Sequence, residues 1–263
     1  MDLAADGVPD LVVHKDDCDP DLGHARWDVY AGSASGIAQS PAAYSLPAAR
    51  CGVAFDRLAQ SSGALEYALL DATGDGVADL VVHQDDCDAT LGGTHWDVYA
   101  GSASGFAPTP APLSLPAARC GVAWDELGRA TGALEYSLMD LSGDGFADLV
   151  VYQDDCDAAI GQARWDVYAG SAGGFAASPT AYTLPAARCA VSWDKPARST
   201  GALKYSLLDL SGDKRSDLVV LRDDCDAPVG QSRWDVYAGS AAGFAAAPSP
   251  HTLPAMRCAA PWD

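Results

Sequence analysis

Basic residues are scarce in this chain: Lys+Arg number 16 against 36 Asp+Glu, for a formal net charge of −20. So acidic a surface repels phosphate backbones and anionic headgroups. That excludes nucleic acid as a partner and leaves divalent cations as the natural counter-ions. Long apolar runs are missing too. No eighteen consecutive apolar residues occur, so no membrane span or membrane insertion is expected. No helical period of any length appears. There is no Cys-x-x-Cys pair, and no histidine recurs with the cysteines: His14 and His83 give way to Tyr152 and Leu221. Zinc is therefore disfavoured. A secretory leader is also lacking; Met1 is followed at once by Asp2 and a repeat already under way, which reads as a truncated start. Disorder is excluded by a hydrophobic content of 49% arranged in recurring patterns.

What the chain does have is a unit that recurs every 69 residues. The repeats run over 1–70, 71–139, 140–208 and 209–263, and a period of this size means an array or a propeller. The full unit opens at Asp71-Ala-Thr-Gly-Asp75-Gly-Val-Ala-Asp79 and runs straight into Leu80-Val-Val, an apolar triplet that predicts a buried strand. Trp96-Asp-Val-Tyr99 predicts a second strand. Gly101-Ser-Ala-Ser-Gly105 is a turn, Phe106 an anchor, and Leu113-Ser-Leu115 an outer strand after a proline-rich approach. A further strand at Leu134–Leu138 precedes the next acidic stretch. About four short strands per unit predict an all-β fold: one propeller domain of four four-stranded antiparallel blades, the first lacking its leading strand.

The acidic stretch has the chemistry of a calcium loop, with oxygen ligands at alternate positions and a glycine at the sharp turn. In the second repeat the candidate ligands are Asp71, Thr73, Asp75, the carbonyl of Val77, and Asp79. In the third they are Asp140, Ser142, Asp144, the carbonyl of Phe146, and Asp148. The fourth offers Asp209, Ser211, Asp213 and Asp217, but Lys214 replaces the turn glycine, a strained choice if that position needs positive φ. The first offers Asp2, Asp6 and Asp10, and Ala4 removes the third oxygen. The competing reading is a set of turns whose aspartates cap backbone amides.

The pairing of DxxGDGxxDLVV with WDVYAGSxxGF resembles the FG-GAP/VCBS repeats, in propellers such as the integrin α headpiece. The likeness spans all four repeats. It implies a propeller whose blades hold calcium in the loop between the first and second strands. Two departures stand out: that type of propeller has seven blades, and the chain both starts and stops beside a missing strand. An unpaired strand edge is a template for another molecule, so a homo-oligomer through that edge is expected.

Eight cysteines, two per repeat, predict disulfides and an oxidising, extracellular setting. The ends of the second and fourth strands of an up-and-down blade point the same way. That favours one bridge per repeat: Cys18–Cys51, Cys87–Cys120, Cys156–Cys189 and Cys225–Cys258. The competing link, Cys51–Cys87, would staple neighbouring blades and leave Cys18 and Cys258 to close the ring. Arg50, Arg119, Arg188 and Arg257 precede the second cysteine of each pair. If each bridge joins the two cysteines of one repeat, they are expected to pair with the acidic segments at 16–19, 85–88, 154–157 and 223–226. The recurring aromatics, Trp27, Trp96, Trp165 and Trp234 with Phe55, Trp124, Trp193 and Trp262, suit packing between blades or stacking on sugar rings.

Every repeat carries the same acids, and none carries a distinct catalytic set, so no enzyme activity is expected. The expected function is a secreted, calcium-binding module that offers several like sites to an extracellular glycan or protein ligand. A spacer from a larger secreted protein and a propeller glycosidase are the alternatives.

Overall fold

The apolar triplet after each acidic loop becomes the most deeply buried strand of its sheet. In Asp79–Asp85 every residue but Gln84 is buried, as is every residue but Gln153 in Asp148–Asp154. A strand covered on both faces cannot alternate, which is why Leu80-Val-Val reads as a continuous apolar run. The computed structural model describes residues 2–3, 6–255 and 262. All regular structure among them is β, and the fold is a four-bladed propeller of antiparallel sheets. Two units are distinguished. One comprises Met1–Ala118, Ala123–Leu127 and Ser171–Ala177, the other Arg119–Val122, Gly128–Gly170 and Ser178–Asp263.

In the first unit, one sheet has three strands, Leu11–Val13, Arg26–Tyr30 and Ala42–Ser45. The next has four, Leu65–Leu70, Asp79–Asp85, His95–Tyr99 and Ala111–Ser114, paired in that order. The register sets Leu70 opposite Asp79 and Leu80 opposite Tyr99. In the second unit the strands are Leu134–Met139, Asp148–Asp154, Arg164–Tyr168 and Thr180–Thr183, then Leu203–Leu208, Asp217–Asp223, Arg233–Tyr237 and Ser249–Thr252.

In the second, third and fourth repeats the turn that the sequence marks as Gly-Ser-x-x-Gly-Phe docks on the outer strand of the preceding repeat. Ser45 N donates to Ser104 O, and Phe106 N donates to Ser45 O at 2.9 Å. A Cβ on Gly105 (φ +140°) would meet the Ser45 backbone at 2.5 Å, so only glycine lets the two chains touch. Phe106 then enters edge-on against Trp27, with ring centroids 5.5 Å apart. Phe175 meets Trp96 and Phe244 meets Trp165 in the same way. Trp27, Trp96, Trp124, Trp165 and Trp193 are fully buried. The Trp96 indole N–H donates to Trp124 O at 2.6 Å, and that of Trp165 to Trp193 O at 2.7 Å. These tryptophans are core and offer no face to a sugar.

The disulfides correct the expected pairing. Cys51 bonds Cys87, Cys120 bonds Cys156, and Cys189 bonds Cys225, each across a separation of 36 residues. The bridges Cys18–Cys51, Cys87–Cys120 and Cys156–Cys189 are not formed. Cys225, taken by Cys189, is not free for Cys258, which lies outside the described residues. The cause is local. Arg50-Cys51-Gly52-Val53 folds back on itself, with Arg50 N and Val53 N each donating to the other's carbonyl. Cys51 and Gly52 both take positive φ, +52° and +73°. That is a tight two-residue turn of the mirror-image type. It carries the cysteine to the following repeat instead of back into its own.

Candidate functional site

Two constellations recur with the repeat. The first is the acidic loop. Asp71 accepts from Gly74 N through Oδ1 at 2.7 Å and from Gly76 N through Oδ2 at 2.9 Å. Asp75 accepts from Val77 N at 2.8 Å. Asp79 is fully buried; its Oδ2 accepts from Ala72 N and Thr73 N, both at 2.9 Å, and its Oδ1 from Gly101 N at 2.8 Å. Asp79 therefore ties the loop to the turn after the third strand. Gly101 is needed there because a Cβ would meet Ala78 O at 2.2 Å.

The other loops repeat these contacts. Asp140 accepts from Gly143 and Gly145, Asp144 from Phe146, and Asp148 from Leu141, Ser142 and Gly170. Asp209 accepts from Gly212 and Lys214, Asp213 from Arg215, and Asp217 from Leu210, Ser211 and Gly239. In the first repeat Asp2 accepts from Asp6 and Gly7, Asp6 from Val8, and Asp10 from Leu3 and Gly32. Burial pushes the Asp79 and Asp148 carboxyls above the ordinary aspartate value, against the opposing pull of their amide donors.

Whether a calcium ion suits these loops turns on the donors left over. All are oxygens, as calcium prefers. Thr73 Oγ1 is buried without a hydrogen-bond partner, and a cation at the loop would satisfy it. Ser142 Oγ and Ser211 Oγ instead donate to Asp140 and Asp209. The second loop fits best. Among the described residues, the sets of three ligand atoms within 4.8 Å of one another are Cys51/Asp85/Cys87, Cys120/Asp154/Cys156 and Cys189/Asp223/Cys225. These could hold a metal ion with their thiols free, but as disulfides their sulfurs are spent.

The second constellation is an arginine clasp that sequence reasoning assigned to the wrong repeat. Arg50 reaches forward: its Nε donates to Asp85 Oδ2 at 2.9 Å and its Nη1 to Asp97 Oδ2 at 2.5 Å. The Tyr99 hydroxyl lies 3.5 Å from the same nitrogen. Arg119 grips Asp154 and Asp166 beside Tyr168, and Arg188 grips Asp223 and Asp235 beside Tyr237. Burial works against each guanidinium, yet its carboxylate partners hold the pKa above the ordinary arginine value. A second arginine braces the clasp from within the repeat: Arg164 on Asp157 and Asp166, Arg233 on Asp226 and Asp235. The clue in the sequence was the register of Arg50 and Asp97, each recurring with the period but 47 residues apart.

At the last of these clasps lies an open hollow of about 410 Å³, lined by Arg188, Arg233, Asp226, Asp235, Tyr237 and two prolines. Planar guanidinium edges, carboxylates and a phenol hydroxyl present donors and acceptors side by side, a chemistry suited to vicinal hydroxyls.

No family model and no curated protein matches the chain. Among solved structures it is similar to part of a Photorhabdus luminescens Tc holotoxin pore, at 18% identity and a TM-score of 0.47, over 80% of this chain and 8% of that one. It is also similar to an Agrocybe aegerita lectin that recognises non-reducing terminal N-acetylglucosamine, at 17% identity and a TM-score of 0.43, over 94% of this chain and 49% of that one. This chain thus spans about half the length of the lectin and a small part of the toxin. At these values neither likeness bears on ligand or partner. Among the described residues no helix is long and apolar enough to cross a membrane. The three disulfides fit an oxidising environment.

Proposed function

We propose that this chain is a secreted binding module of the FG-GAP/VCBS type, taking an extracellular glycan at the arginine clasps and not acting as an enzyme. The observation that carries this reading is the recurrence of one constellation, Arg–Asp–Asp–Tyr, at three successive repeats, with an open hollow at the last. Like sites on one chain raise avidity without any single strong contact. Catalysis needs unlike groups in unlike roles, and repetition of one set argues for binding. A glycan array probed with the whole chain tests this. Binding to defined sugars that is lost in Arg188→Met, with the fold intact by circular dichroism, supports it; no sugar bound by the wild type contradicts it.

Calcium is the proposed stabilising ion. In the second repeat Asp71, Thr73, Asp75 and the Val77 carbonyl would hold it, with Asp79 bracing the loop from behind through its three amides. Asp140, Ser142, Asp144 and the Phe146 carbonyl, backed by Asp148, form the matching set in the third. When bound, the ion would offset the repulsion among clustered carboxylates. Chelator-stripped protein should gain melting temperature on adding millimolar calcium, and Thr73→Val should reduce the gain. An unchanged melting curve would remove calcium from the account and leave loops closed by their own amides.

A further inference from the structure

The fourth repeat differs from the others by one missing donor. In every repeat an aspartate follows the cysteine of the acidic segment: Asp19, Asp88, Asp157 and Asp226. In the first three, the amide two residues on donates to its Oδ1. Asp21 N reaches Asp19 at 3.1 Å, Thr90 N reaches Asp88 at 3.0 Å, and Ala159 N reaches Asp157 at 3.0 Å. In the fourth that residue is Pro228, which has no N–H to give. The turn itself is unchanged. Val229 N donates to Asp226 O at 2.9 Å and Ser232 N to Pro228 O at 3.0 Å, as Ile160 N does to Asp157 O and Ala163 N to Ala159 O. Pro228 thus removes a donor and keeps the backbone.

The carboxylate that loses this donor lines the hollow of the fourth clasp, with Arg188, Arg233, Asp235 and Tyr237. Asp226 Oδ2 is taken, by Arg233 Nη2 at 2.7 Å and Arg188 Nη2 at 3.4 Å. No group among the described residues donates to Asp226 Oδ1. Arg233 has the complementary atom. Its Nε bonds Asp235 at 2.8 Å and its Nη2 bonds Asp226, while Nη1 pairs with no carboxylate among the described residues. An open acceptor and an open donor therefore sit on the two halves of one ion pair. Charge is unbalanced as well. Two guanidiniums, Arg188 and Arg233, face three carboxylates, Asp223, Asp226 and Asp235. The Asp226 side chain is 34% exposed, against 2% for Asp223 and 6% for Asp235, so the excess negative charge is presented at Asp226.

Resting on the glycan reading above, we propose that the fourth clasp selects a sugar with a protonated amino group, a 2-amino-2-deoxyhexose unit, over neutral and acidic sugars. The ammonium donates to Asp226 Oδ1, a charge-assisted hydrogen bond stronger than a hydroxyl makes there. The neighbouring hydroxyl oxygen accepts from Arg233 Nη1. Pro248 and Pro250 give the sugar ring an apolar wall. A carboxylate-bearing sugar brings like charge to Asp226 and is repelled. Pro228 determines the specificity, and it acts through Asp226 rather than on the ligand.

The test titrates the whole chain by calorimetry, below neutral pH, with β-1,4-linked trimers of glucosamine, glucose and glucuronate. The glucosamine trimer should bind roughly tenfold tighter than the glucose trimer, and the glucuronate trimer should not bind. Pro228→Ala copies Ala159 of the third repeat and gives Asp226 Oδ1 an amide. It should abolish the preference for glucosamine, with circular dichroism confirming the fold. A second measurement needs no substitution: in the wild type, the Asp226 carboxyl ¹³C shift should move further with the glucosamine trimer than with the glucose trimer. Equal affinity for glucosamine and glucose, or a preference that survives in Pro228→Ala, overturns the proposal and leaves the glycan reading standing. Binding of none of the three overturns it too, and the glycan array then decides whether the broader reading falls with it.

Discussion

Lys214 takes φ +70° at the loop position where Gly76 and Gly145 take +84° and +92°. A side chain in the left-handed region costs on the order of 1 kcal/mol, partly offset by the extra freedom glycine has in the unfolded chain. Lys214→Gly should therefore raise stability by about 0.5–1 kcal/mol in urea unfolding, and no gain would mean that Lys214 makes a compensating contact. At Asp79 and Asp148 the prediction concerns pH. Burial raises both carboxyls above 3.8, so the folded chain holds these protons more tightly than the unfolded one. Their contribution to stability is then largest in acid and falls as pH rises through the folded pKa. Carboxyl ¹³C titration should show both midpoints above those of exposed aspartates. Spacing alone placed the loop acids, because positions 1, 5 and 9 are visible in any one copy. It could not show that Asp79 faces inward to Gly101, since that contact spans 22 residues and depends on how the third strand returns.

Strands and turns carry the next set of consequences. The buried central strands, the Trp strands and the glycine-Phe turns were legible, because each has a local pattern of apolar residues or turn formers. The disulfide partners were not. Both pairings join cysteines at similar separations, and the choice is made by the positive φ of Cys51 and Gly52, a backbone property that residue types only hint at. The clasp followed the same error, since Arg50 goes where Cys51 goes. Asp154 is almost fully buried beneath Arg119, and Asp166 nearly so. Removing the cation strands two carboxylates that keep only part of their support. Arg119→Met should cost about 2–3 kcal/mol by denaturant unfolding, less than a wholly buried pair because Arg164 still braces Asp166. A change near zero would show the clasp to be an incidental surface pair.

For the whole molecule, the 69-residue period and the four short strand patterns within it carry the all-β class and the count of blades. What it left open is how one repeat meets the next, because four copies of one unit offer the same groups at every register. In the structure each of the first three repeats lends an arginine and a cysteine to its successor, so the hollow proposed for ligand is built by two repeats and belongs to neither alone. That arrangement requires one set of sulfur partners. Peptide mapping of the unreduced protein by mass spectrometry reads it directly: Cys51–Cys87, Cys120–Cys156 and Cys189–Cys225 are the expected links, and Cys87–Cys120 with Cys156–Cys189 would show that the arginines never reach the carboxylates assigned to them.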